Sequence, residues 1–171
     1  MGRATRTGLF LGLVLLAILL DATVLGPLDL PGAPPSLLLL VVAAWALVTG
    51  PSSGAVAGFV AGFVADVVPP ADHLIGRYAL AACLVGYLAG LFRLEAKESV
   101  AAALGAVALA VALGTLVFAG SGVIFGEAAG TGGALPVAVA SSVGYDLLLT
   151  PFVVPPITSL VRRLQPAVSR D

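Results

Sequence analysis

The sequence predicts an all-α integral membrane protein, a bundle of about six transmembrane helices. Three observations predict it. Of 171 residues, 60% are hydrophobic and only 10% are charged, whereas soluble domains carry roughly 25% charged residues. A soluble fold of this size has no interior large enough for that much apolar surface, so lipid must take the place of water. In lipid every backbone polar group has to be satisfied internally, which leaves helices or a closed barrel. The apolar runs are continuous, as in residues 9–20 and 100–117, where barrel strands alternate apolar with polar. Finally, a span needs about 20 apolar residues, so the chain holds about six with short connections. It is read as one multi-pass domain over residues 1–171, with no room for a soluble domain beside it.

The first span is placed at residues 8–25, behind Arg3 and Arg6 and with Asp21 near its far end. No small-x-small cleavage site follows it, so it is read as a retained span. Residues 26–35 are rich in Pro and Gly and form a connection. The second span, 35–48, is short. A turn at 49–53 leads to the third, 54–68, and a Pro-rich loop with Asp72 and His73 to the fourth, 74–92. The charged stretch 93–99 precedes a fifth span at 100–125. A Gly-rich loop with Glu127 leads to the sixth, 135–160, where Pro151, Pro155 and Pro156 predict a kink or an early end. Spans two and three are shorter than the hydrocarbon core. They either tilt, thin the bilayer or extend into the loops, or they form a re-entrant hairpin.

Basic residues set the orientation. With the N-terminus inside, the inner segments hold Arg3, Arg6, Arg93, Lys97, Arg162, Arg163 and Arg170 and the outer ones only Arg77. That asymmetry supports an even number of spans, with both termini cytoplasmic. Trp45 and Tyr78 are read as interfacial anchors, and Arg162 and Arg163 as contacts to anionic headgroups.

The sequence offers little for catalysis. The one histidine, His73, falls in an outer loop and reads as solvated. The one cysteine, Cys83, lies in an apolar run and reads as a small packing residue. Neither a nucleophile with its base nor a zinc ligand set can be assembled. No enzyme, cofactor, metal or nucleic-acid partner is expected.

Packing motifs are more informative. Gly54, Gly58 and Gly62 recur every fourth residue, and Asp66 continues the series. Such a row makes a groove that another helix backbone can approach closely. Gly86 and Gly90 give a shorter version in span four. The groove serves either packing within the bundle or a partner protein. Carboxylates inside a membrane are costly and face the bundle interior or water. Asp66 and Arg77 are a candidate intramembrane pair joining spans three and four, with a plain interfacial position or ligand and proton handling as the other readings. Asp146 sits with Tyr145 near Pro151, either protonated or paired.

Several of these pieces occur in a particular order. Pro35-Ser36-Leu37 opens the run ending in Trp45. Gly58-x-x-x-Gly62-x-x-x-Asp66 follows, then Gly76-Arg77, Ala79-Leu80, Val85-Gly86-Tyr87-Leu88 and, late in the chain, Thr150-Pro151. This arrangement resembles the rod shape-determining MreD family over roughly residues 34–164, most clearly over 58–90. The loop at 69–73 departs from the family's Ser/Gly turn. The resemblance implies a multi-pass protein of the bacterial cell membrane, a non-catalytic part of the wall-elongation machinery. It implies association with MreC and, through it, with MreB, RodA and a class B penicillin-binding protein. It also implies a fold similar to the substrate-binding S components of vitamin transporters, which keeps a transporter subunit as the alternative.

Overall fold

The computed structural model describes residues 3–28, 30–68, 75–124 and 135–163. Most of the described residues are helical, with no strand among them. Among the described residues seven α-helices follow one another: α1 (Arg3–Leu20), α2 (Leu37–Thr49), α3 (Pro51–Val67), α4 (Arg77–Leu91), a single turn α5 (Glu95–Glu98), α6 (Val100–Ile124) and α7 (Leu135–Arg163). Three of the helical stretches are long and apolar enough to cross a bilayer: Thr5–Leu28, Val100–Ile124 and Pro136–Arg163. The other three long helices, α2, α3 and α4, are apolar but shorter.

The architecture explains the short helices. Every residue of α2 from Leu38 to Val48 is buried, and α2 packs against α1, α3, α4, α6 and α7. A helix that is apolar all round needs apolar surroundings on every side, and here protein supplies them. With 13 residues, α2 is about 20 Å long against a hydrocarbon core of about 30 Å. It need not match the lipid, because its neighbours cover it. The lipid-compatible surface lies on those neighbours: Leu15 and Leu19 on α1, Phe59 and Phe63 on α3, Leu116 on α6, and Leu148 and Phe152 on α7 are all exposed.

At one end of the bundle the chain turns from α2 to α3 at Gly50, whose φ is +94°. A β-carbon there would stand 3.1 Å from Nη1 of Arg93, so the α4–α5 junction lies beside this turn. Arg162 near the end of α7 donates to the Ala96 carbonyl at 3.4 Å, and Arg6 lies 5.6 Å from the Trp45 ring. Arg6, Arg93 and Arg162 thus gather at one end of the bundle. Trp45 is not an exposed anchor: it is buried, with the Phe10 ring 4.8 Å away. The rings fill the space between α1 and α2 where a headgroup position was expected.

The sixth span, α7, does not end early. It runs to Arg163 with Pro151, Pro155 and Pro156 inside it. Each proline removes one backbone donor, and hydroxyls bond nearby carbonyls: Thr150 to Asp146 at 2.6 Å, Thr158 to Pro155 at 3.0 Å and Ser159 to Pro156 at 2.8 Å. Residues Asp72, His73, Glu127 and Arg170 lie outside the described residues, so their expected loop and tail positions are not among the features described.

Candidate functional site

Two features stand out, and the glycine row builds the first. α3 and α4 share the most extensive interface in the molecule, and the glycines are the reason. A β-carbon on Gly54 would strike the Gly86 carbonyl, one on Gly58 the Ala82 carbonyl, and one on Gly62 would come within 2.6 Å of Ala79 Cα. From the other side, a β-carbon on Gly86 would strike the Gly54 carbonyl, and one on Gly90 would lie 2.5 Å from Pro51 Cα. The structure therefore brings Gly54, Gly58, Gly62, Gly86 and Gly90 onto one seam. There the two antiparallel helices touch backbone to backbone.

Asp66 closes this seam at the far end. Its Oδ2 accepts from the backbone N–H groups of Gly76 (2.8 Å) and Ala79 (3.1 Å), and its Oδ1 from that of Tyr78 (3.3 Å). The first N–H groups of a helix lack partners within it, and in a bilayer no water replaces them. A carboxylate from α3 therefore caps α4, and Gly76, left-handed with φ +100°, turns the chain into that position. The neighbouring Arg77 is 8% exposed. Its Nε donates to Ser121 Oγ (3.1 Å), its Nη2 to the Phe118 carbonyl (2.7 Å), and its guanidinium lies 4.5 Å from the Phe118 ring centre. Gly122 leaves room for it, since a β-carbon there would meet Nη2 at 2.5 Å. Asp66 and Arg77 lie near enough to attract each other electrostatically.

The second feature is the head of α2, where four helices meet. The Ser36 N–H donates to Asp146 Oδ1 at 2.8 Å. The next two N–H groups, of Leu37 and Leu38, donate to Asp21 Oδ1 and Oδ2 at 3.1 and 3.3 Å. The Leu39 N–H donates to Ser36 Oγ at 3.3 Å, and Ser36 Oγ also bonds the Tyr78 hydroxyl. One helix end is thus capped by residues of α7, of α2's own N-cap and of α1, with α4 touching the cap. Asp21 reaches it because α1 widens into a π turn at Asp21–Leu25. Such turns re-aim the side chains they carry.

The connection between α1 and α2 is bonded along α7. Ser141 Oγ accepts from the Ala33 N–H at 3.0 Å, Ser142 Oγ donates to the Pro34 carbonyl at 3.1 Å, and Tyr145 Oη to the Pro31 carbonyl at 3.3 Å. Gly32, at φ +90°, sits where a β-carbon would collide with the Ser141 side chain. Ser141, Ser142, Tyr145 and Asp146 fall at i, i+1, i+4 and i+5, one face of a helix. The sequence reading singled out Asp146 and missed the serines, although that spacing was visible. Tyr78, expected at an interface, instead points its hydroxyl into the bundle, with its ring edge against Phe118 at 5.5 Å.

Chemically, the arrangement satisfies the first N–H groups of two helices with carboxylates from other parts of the bundle. No group of three or more His, Cys, Asp or Glu residues placed to hold a metal occurs among the described residues. The fold and these polar junctions define an all-helical protein with membrane-spanning helices, whose polar residues serve helix ends. The chain belongs to the MreD family, described as rod shape-determining protein MreD, which it matches over residues 2–162. No curated protein and no solved structure matches it. Membership assigns the chain to cell-shape determination, in a family of shape-determining membrane proteins.

Proposed function

We propose that this protein is a non-enzymatic scaffold of the wall-elongation machinery, a single multi-pass domain in the bacterial inner membrane that acts with MreC and, through MreC, with MreB, RodA and a class B penicillin-binding protein. The family match over residues 2–162 carries this reading. The packing agrees with it. The glycine face of α3 is filled by α4, so the seam holds α3 rigidly and turns its opposite face, with Val56, Phe59 and Phe63, outward. That face is available to the apolar helix of a partner.

The two ends of the bundle support an orientation. Arg6, Arg93 and Arg162 share one end, and the carboxylate-capped heads of α2 and α4 start from the other. With basic residues inside, both termini are cytoplasmic and the caps lie in the outer half of the membrane. All six long helices then cross, the short ones sheltered by their neighbours.

The polar outer half keeps a transporter substrate subunit as the second reading, because Asp21, Asp146, Tyr78 and Arg77 lie on the side from which a solute would enter. One experiment separates the two. The tagged protein is solubilised in detergent from its own cells and its companions are identified by mass spectrometry. MreC, RodA or the penicillin-binding protein is the expected recovery. An energy-coupling ATPase with its membrane partner, in their place, would overturn the scaffold reading.

A further inference from the structure

The head of α2 holds a buried carboxyl group that the bonds around it leave half satisfied. Asp146 is 2% exposed. Its Oδ1 accepts from Ser36, but its Oδ2 is buried with no hydrogen-bond partner among the described residues. A carboxylate oxygen left bare in an apolar interior is among the costlier things a protein can bury. Asp21 makes matters worse, because it brings a second carboxylate to the same helix end and the two repel. The N-terminus of α2 offers the equivalent of about half a positive charge, against two negative ones.

Among the described residues, the neighbouring helices bring few charged groups to this point. α2 and α6 contain no ionisable residue. From α4 come the Tyr78 hydroxyl and Arg77, whose guanidinium is bonded to Ser121 and Phe118 of α6 and attracted by Asp66 of α3. The surrounding donors are oxygens: the carboxylates of Asp21 and Asp146 and the hydroxyls of Ser36 and Tyr78. Hard cations choose such ligands. A monovalent ion together with the α2 dipole offsets most of the charge that two carboxylates can carry.

We propose that the head of α2 binds one small monovalent cation, held by the free carboxylate oxygen of Asp146 with Asp21, Ser36 and Tyr78 as neighbouring oxygen donors. The ion bridges α1, α2, α4 and α7 and so acts as a latch between α1 and the rest of the bundle. This does not depend on the scaffold reading, because it concerns only the stability of the isolated protein.

The test is a melting series on the purified full chain in neutral detergent, followed by the fluorescence of Trp45, the one tryptophan, at the opposite end of α2. Sodium or potassium chloride replaces N-methylglucamine chloride at constant ionic strength and pH. A saturable rise of about 5 °C is expected with a small ion. Asp146→Asn should melt at one temperature in all three salts, and Asp21→Asn should shift the midpoint to about tenfold higher ion concentration. Identical melting of the wild type in all salts would overturn the proposal. So would a rise that survives in Asp146→Asn, or acidification in N-methylglucamine that reproduces and abolishes the ion effect, since a proton would then be the occupant. If Asp146→Asn does not fold, the wild-type and Asp21→Asn series decide alone.

Discussion

The α3–α4 seam and the head of α2 solve the same problem by opposite means. At the seam two helices adjacent in the chain approach until backbone meets backbone, and the joining residues carry no polar atom beyond their peptide groups. At the head of α2, residues 110 apart in sequence are joined by hydrogen bonds from N–H groups to carboxylates. The difference follows from the solvent. Between helices in lipid no hydrophobic force acts, so association depends on close packing, which small residues permit. At a helix end in lipid the bare N–H groups have no water to turn to, so charge must be brought to them. Packing joins the sides of helices here, and carboxylates join their ends.

The largest effect should come from breaking the seam. Gly62→Leu places a side chain where Ala79 Cα and the Tyr78 carbonyl already stand, each 2.6 Å from the added β-carbon. Backbone cannot rotate away as a side chain does, so a loss of about 3 kcal/mol or more is expected, at the upper end for overpacking. Denaturant unfolding in detergent measures it. Gly105→Ala is the control, because nothing lies within 4 Å of the added carbon, and in mid-helix it should stabilise by up to about 1 kcal/mol. Equal losses in the two variants would mean that the seam is not held by close approach.

Second in size is the cap of α4. Asp66→Ala removes the acceptor for three N–H groups, and hydrogen bonds to a charged group are worth roughly 1.5–3 kcal/mol each, less when one acceptor is shared. A loss of about 2 kcal/mol is expected. Asp66→Asn, which keeps one carbonyl oxygen, should recover part of it. Amide exchange at Gly76, Tyr78 and Ala79 locates the damage, and unchanged protection there would show that these bonds do not hold the helix end.

The two regions also differ in how far the sequence reveals them. The row Gly54, Gly58, Gly62, Asp66 is a pattern within one helix, so its four-residue period could be read directly, and Gly86 and Gly90 lie on the helix that follows. The helical class and the bounds of the long α6 were legible for the same reason, since continuous apolar runs need no partner to be recognised. The caps of α2 were not legible. The partner of Asp146 is the N–H of Ser36, and a backbone N–H has no sequence signature. The π turn that aims Asp21 has none either. Prolines in the last span read as a kink or an early end because propensity argues from the local chain, whereas α7, packed against α2 and α6, continues to Arg163.

Asp21→Ala should cost less than Asp66→Ala. Asp21 is half-buried, and it caps two N–H groups at 3.1 and 3.3 Å while Ser36 and Asp146 continue to serve their neighbours. A loss of about 1 kcal/mol is expected, as for an ordinary N-cap. Its local signature is increased amide exchange at Leu37 and Leu38 with Ser36 still protected. Uniform loss of protection across Ser36–Leu39 would mean that the carboxylates act as one unit, and the contrast between a divided cap and a single one would fall.

The smallest effect tests the other end of α2. Arg6 lies over the Trp45 ring, a contact that joins α1 to α2 without any cap, because the C-terminal end of α2 closes through the Gly50 N–H donating to the Ala46 carbonyl at 2.8 Å. A cation over an aromatic face is worth about 0.5–1 kcal/mol where water reaches it, so Arg6→Gln should lose about 0.5 kcal/mol, and Arg6→Lys should keep most of that. Because Trp45 stays buried against Phe10, its emission should hold its wavelength in Arg6→Gln while the melting temperature falls slightly. A shift of the emission to the red would instead mean that the arginine shields the ring from water. The basic end of α2 would then be held by a polar contact of the same weight as the caps at its head.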